Sequence, residues 1–196
     1  MEEQLTQLQA RYEKFCKLSQ SSGSDRAQQV KEMVDTLGER ILMCPGSLNE
    51  GQPWSRPGGL IEQSIGVTMK MRSIAKALEI EVPTESLIIV GLFHNIGMVG
   101  GPLSGEDYLV EQDSDWHRKQ GRLYRYNEHL PKMPIAHRSL HVLQHFGVRL
   151  SMDEWVAIAT STGPAREENR FYIGSEPDLS VLLTQSRQWI LKGHNT

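Results

Sequence analysis

Apolar residues recur along this chain at steps of three and four, so it reads as one helix after another. Leu5, Leu8, Tyr12, Phe15 and Leu18 mark one face over residues 2–19. SSGS at 21–24 interrupts that face, and Ser24 or Asp25 is placed to cap a second helix carrying Val30, Met33, Val34, Leu37 and Ile41. Pro45-Gly46 ends it, and four glycines and three prolines between 45 and 59 predict a loop. A third helix is expected from near Gly59 to about Leu78, with Val67, Met71, Ile74 and Leu78 as its inner stripe. Thr84, after Pro83, is expected to cap a fourth helix. Its Leu87–Phe93 segment is apolar all round and should be buried. Residues 98–135 read as irregular and polar. A helix over about 136–146 follows. Ser151 and Glu154 then have capping-box spacing for a short helix with Trp155 and Ile158, closed by Gly163-Pro164. The last helix begins near Asp178. Leu179, Leu182, Leu183, Ser186, Trp189 and Ile190 form its inner face, with Arg187 at the edge. No strand alternation of useful length is present, although 170–174 could form a short ribbon, and there are no internal repeats.

Composition narrows the class. The 196 residues suffice for one core without disulfide staples. A net charge of −3 argues against a generally polybasic nucleic-acid binder. Cys16 and Cys44 lack metal-knuckle spacing and read as thiols of a reducing compartment. No apolar run reaches membrane-span length, and the acidic, amphipathic start does not read as a signal peptide. A cytoplasmic protein with no membrane contact is expected.

Some polar residues stand where apolar ones would be expected. Stepping back four residues from Val67 puts Gln63 on the third helix's apolar stripe. It is either a satisfied core glutamine or a residue facing a cavity. His94-Asn95 ends the most apolar helix, with Gly97 as the stop. The 98–135 segment interleaves Trp116, Tyr124 and Tyr126 with Arg118, Lys119, Arg122 and Arg125. That mixture suits a planar anionic ligand and equally a loop pinned by tyrosines. Other matches are weak. Ser73-Ile-Ala-Lys76 fits S-x-x-K without its companion motifs. The GMVGG glycines at 97–101 lack a preceding strand. His137, His141 and His145 fall at i, i+4 spacing, but the outer two lie about 12 Å apart along a helix and cannot share one ion. A solvated face is expected there.

An ordered set of segments carries a resemblance. They are Cys44-Pro-Gly-Ser47 and Pro57-Gly-Gly-Leu-Ile-Glu-Gln-Ser64, then Leu92-Phe-His-Asn-Ile-Gly97 and Trp116-His-Arg-Lys119. Tyr124-Arg-Tyr-Asn127, Met133-Pro134 before Arg138-Ser139-Leu140, Glu154-Trp-Val-Ala-Ile158 and the terminal helix to Trp189 complete it. Over residues 40–190 the set resembles the HD-domain phosphohydrolase superfamily, in a compact branch common in bacteriophages and bacteria. The resemblance implies an all-α, HD-domain-like helical bundle with a central cavity. It divides the chain into an N-terminal helical extension (1–43) packed on the core, an HD-like domain (44–192) with a long irregular loop around 98–135, and a tail (193–196).

The departures from the family pattern bear on function. Active members hold one or two divalent ions on histidines and aspartates, and these ions activate water against a phosphoester. Here the family's first histidine falls on Gln63 and its "HD" pair on His94-Asn95. The histidine after "MP" falls on Ile135, a later "HDG" on Ser161-Thr162-Gly163, and the late "HxAD" histidine and aspartate on Thr184 and Arg187. One imidazole and neutral amides are a poor ligand set for Mn²⁺, Fe²⁺ or Mg²⁺. Arg187 would repel a cation by about 4 kcal/mol per unit charge at 4 Å and an effective dielectric of 20. Its guanidinium would instead fill the vacated space and donate to the Asn95 and Gln63 carbonyl oxygens.

The expectation is therefore a pseudoenzyme with no metal and no catalytic residue, His94 being the fallback. It would act by binding a nucleotide, another phosphorylated small molecule, or a protein partner. Candidate ligand contacts are Arg118, Lys119, Tyr126, Asn127, Lys132, Arg138 and Arg187. Nucleic acid is not expected as a partner, and if the source is a phage the site of action is the host cytoplasm. Two alternatives stay open. One is a phosphohydrolase with a non-standard site using Mn, Fe or Mg. The other is an assembly protein that uses the N-terminal helices for partner contact.

Overall fold

A computed structural model describes residues 2–21, 26–102, 104–163 and 165–194. The chain folds as an all-α protein. Its helices are α1 (Glu2–Gln20), α2 (Ala27–Met43), α3 (Gly59–Ala77), α4 (Thr84–Phe93), α5 (Asp115–Lys119), α6 (Ile135–His145), α7 (Met152–Ala159) and α8 (Asp178–His194). Short 3-10 turns cover Ile96–Met98 and Glu167–Tyr172.

The apolar helix α4 is the axis of the fold. Every residue from Ser86 to Phe93 is buried, because α1, α3, α7 and α8 all pack on it. The Phe15 ring of α1 meets Phe93 edge to face at 5.8 Å. Phe15 and the α2 stripe Val30, Met33, Val34, Leu37 and Ile41 belong to the same continuous core as α3, α4 and α8. Helix α2 kinks at Gly38.

Gly91 sets how closely α3 and α4 approach. A Cβ there would stand 2.4 Å from the Thr68 hydroxyl oxygen and 2.8 Å from the Thr68 Cα. Gly91→Ala is therefore expected to cost about 1–3 kcal/mol, as overpacked cores do. Urea midpoints check this, and a loss below about 0.5 kcal/mol would mean that the two helices are free to part.

Several boundaries differ from the sequence expectation. Thr84 is the first helical residue of α4, not its cap, and Pro83 precedes the helix with no side-chain cap bond. The α2 cap expected at Ser24 or Asp25, and the Pro164 stop, lie outside the described residues. Leu78 falls just beyond the end of α3, and both it and Trp189 are exposed, as is Leu5. Extending a stripe by one more turn fails where the helix ends or where no neighbour covers it. The 170–174 segment is no ribbon: the 3-10 turn runs through it to Tyr172. The capping box at Ser151 and Glu154 is formed in both directions.

The 98–135 segment carries a small hairpin within its irregular course. Strands β1 (Leu109–Glu111) and β2 (Tyr124–Tyr126) pair antiparallel, Leu109 opposite Tyr126, with α5 between them. Three residues per strand are too few for alternation to show in a sequence. No helix among the described residues is long and apolar enough to cross a membrane.

Candidate functional site

The end of α4 is pinned before any site chemistry begins. Gly97 lies so close under α6 that a Cβ would come within 2.6–2.7 Å of Arg138, Ser139 and Ile135. The Ser139 hydroxyl accepts from the Gly97 N–H at 2.9 Å and lies 2.8 and 2.9 Å from the His94 and Ile135 carbonyls. This holds the His94–Gly97 turn in one orientation.

Around that turn the structure gathers five of the eight predicted positions. Gln63 on α3 accepts from the Asn95 amide at 3.0 Å, with both side chains buried. His94 is 0% exposed. Its Nδ1 lies 3.0 Å from the Gly91 carbonyl, so Nδ1 carries the proton and Nε2 the lone pair. That Nε2 is buried with no hydrogen-bond partner among the described residues, as is the Ser161 hydroxyl. Arg187 comes in from α8 and donates through Nη1 to the Ser161 carbonyl. The sequence expectation sent it to Asn95 and Gln63, but those amides bond to each other and a backbone oxygen takes the guanidinium.

The electrostatics of this cluster follow from burial and one cation. Burial lowers the Arg187 pKa to about 10. Burial, and then the Arg187 charge, lower His94 to about 3, against hydrogen bonds to the Gly91 and Val90 backbone that act the other way. No carboxylate among the described residues offsets the guanidinium: Arg187 forms none of the ion pairs. Nor do three His, Cys, Asp or Glu side chains converge anywhere among the described residues as a metal would require. His137, His141 and His145 lie on the exposed face of α6.

The remaining three predicted positions line separate hollows, although the Ile135 carbonyl also meets the Ser139 hydroxyl at the turn. Ile135 and Thr162 line a cavity of about 400 Å³ together with Tyr108, Tyr126, Lys132 and Arg166. Thr162 follows Ser161 directly, so the cavity borders the buried cluster through one peptide unit. Thr184 lines a different hollow of about 250 Å³ with Asn169 and Gln188.

Of the candidate ligand contacts, Tyr126 and Lys132 face the 400 Å³ cavity, and Tyr126 stacks at 5.1 Å from Tyr108. Arg138 is committed elsewhere. It is buried, its guanidinium lies 3.8 Å from the centre of the Tyr108 ring, and it donates to the Gly97 and Pro131 carbonyls. Arg118 donates to the Gln112 carbonyl and pairs with Asp115. Asn127 closes a turn, giving its amide to the Asp107 carbonyl and accepting from the His129 N–H. Lys119 is exposed on α5, away from the cavity lining.

Sequence reasoning missed Arg166 and Tyr108 in this lining. Arg166 sits in an aperiodic segment and carries no positional signal. Tyr108 precedes β1, and its role depends on Arg138, which is 30 residues away in sequence.

Compared with protein-family models, curated proteins and solved structures, the chain finds no significant match.

Proposed function

We propose that this chain is a non-catalytic, HD-like binding protein. It holds a phosphate-containing ligand, or a protein partner, without cleaving it. The observation that carries this reading is the composition of the cluster, in which four buried side chains meet the half-buried Arg187. Gln63, His94, Asn95, Ser161 and Arg187 converge on the positions where the resemblance implies a hydrolytic metal centre. They offer one imidazole, two amides engaged with each other, a hydroxyl and a cation. A divalent ion here would meet the Arg187 charge and no carboxylate, against the donor chemistry such ions need. The cavity beside the cluster supports the ligand half of the reading. Tyr126 and Tyr108 offer aromatic surface, and Lys132 and Arg166 supply two cations to a lining that holds one acid, Glu168.

The test is metal content by plasma mass spectrometry on tag-free protein from cells fed manganese, iron, nickel and zinc. A phosphohydrolase panel runs beside it. Substoichiometric metal and no hydrolysis above background are expected. His145→Ala is the control for scavenging by the α6 histidines. Near one ion per chain, kept in His145→Ala but lost in His94→Ala, would restore the metal-dependent hydrolase.

A further inference from the structure

The buried cluster contains two kinds of unmet demand, and together they specify a ligand group. Arg187 has five N–H donors in a planar fork. Its one hydrogen bond among the described residues goes to the Ser161 carbonyl, and no carboxylate pairs with it. Arg187 is half-buried, and a cation partly withdrawn from water without a counter-charge is relieved by an anion. The Ser161 hydroxyl is buried and has no partner among the described residues. His94 makes the opposite demand. With Nδ1–H committed to the Gly91 carbonyl, its buried Nε2 can only accept. The Arg187 charge is the second cause of the lowered His94 pKa, so the guanidinium lies within electrostatic reach of this ring.

A simple dianion satisfies the arginine and leaves Nε2 facing another lone pair. A neutral hydroxyl compound satisfies Nε2 and leaves the cation unpaired. A singly protonated phosphate group meets both demands. Its unprotonated oxygens accept from Arg187 and Ser161, its P–OH donates to His94, and its single negative charge balances the single cation.

We propose that Arg187, Ser161 and His94 form the receptor for the monoanionic phosphate end of a phosphomonoester, whose organic part occupies the cavity lined by Tyr126 and Lys132. Arg187 thereby serves as a built-in cation at the place where a hydrolase would use a metal. This inference rests on the binding reading above and gives it a ligand class and an orientation.

Inorganic phosphate is the probe, and sulfate at matched ionic strength is the contrast, because sulfate has the same tetrahedral shape but no proton to give. Thermal melting and the ¹⁵N shift of the His94 ring are followed in the wild type, Arg187→Gln, Ser161→Ala and Lys132→Ala. Phosphate is expected to raise the melting temperature saturably and to move the His94 Nε2 signal. Sulfate should bind about tenfold more weakly or worse, since a site built around a ligand hydrogen rejects the analogue lacking it. Arg187→Gln should abolish both responses, and Ser161→Ala should weaken them about tenfold. If Arg187→Gln does not fold, Ser161→Ala and the wild-type histidine signal decide.

Equal response to phosphate and sulfate, or no movement of His94, overturns the proposal. A response lost in Lys132→Ala but kept in Arg187→Gln also overturns it, while leaving the broader binding reading in place. Hydrolysis of a phosphomonoester would overturn that broader reading itself.

Discussion

Arg26→Ala is expected to lower stability by about 3–5 kcal/mol, the usual cost of stranding a buried charge. Against a total of about 5–15 kcal/mol for a domain, that is enough to threaten folding. Glu154 opens α7 and is 0% exposed. Arg26 grips its carboxylate with two bonds, at 2.7 and 3.1 Å, and reaches Glu85 of α4 at 2.6 Å and the Arg149 carbonyl at 2.7 Å. One guanidinium thus ties the entrance of α2 to those of α4 and α7. Burial alone would lower the Arg26 pKa, but the hydrogen bonds to Glu154 and Glu85 outweigh it and raise the value. Only 18% of the Arg26 side chain and none of Glu154 is exposed, so solvent screens the pair little. Urea unfolding of Arg26→Ala, Glu154→Gln and the double variant checks the claim. The double variant should lose clearly less than the sum of the singles, because removing the second partner also removes the stranded charge. Strict additivity, or a single-variant loss below about 1 kcal/mol, would show that the clamp carries no net stability.

That clamp also shows where the sequence stops being legible. Glu154 was readable as a capping residue, since S-x-x-E is a local signal, and the cap is formed. Its second role depends on Arg26, 128 residues away, and no local pattern encodes a contact of that range. The same division holds across the fold. The α2 stripe and the all-apolar α4 follow from periodicity because burial dictates residue type at each step. Leu78 and Trp189 did not follow, because periodicity does not say where a neighbouring helix ends. At the candidate site, Gln63 and His94-Asn95 stood out as polar side chains at apolar positions, and they do meet around one turn. Arg187 was visible at the edge of its stripe. Its acceptor was not, because a backbone carbonyl leaves no mark on the sequence.

Mild acid is expected to destabilise the protein through His94. In the folded chain burial, and secondarily the Arg187 charge, hold this imidazole at about 3, against 6.5 for an unperturbed histidine. Below pH 6.5 the unfolded chain takes up a proton that the folded chain refuses, so stability falls as pH falls and stops falling near pH 3. The slope approaches about 1.4 kcal/mol per pH unit. Carboxylates titrate mostly below about pH 4.5, so the window from 6.5 to 4.5 isolates histidine. Within it the wild type should lose about 2–3 kcal/mol more than His94→Gln, read from urea midpoints at each pH. Arg187→Gln separates the two causes. Without the neighbouring cation the folded-state pKa rises, so the decline begins at the same unfolded value and ends at a higher pH, with a smaller total loss. A decline in Arg187→Gln that stays unchanged down to about pH 3 would assign the whole shift to burial and remove the guanidinium from the His94 environment. A flat wild-type profile would mean that the ring reaches water, and a solvated Nε2 makes no demand on a ligand.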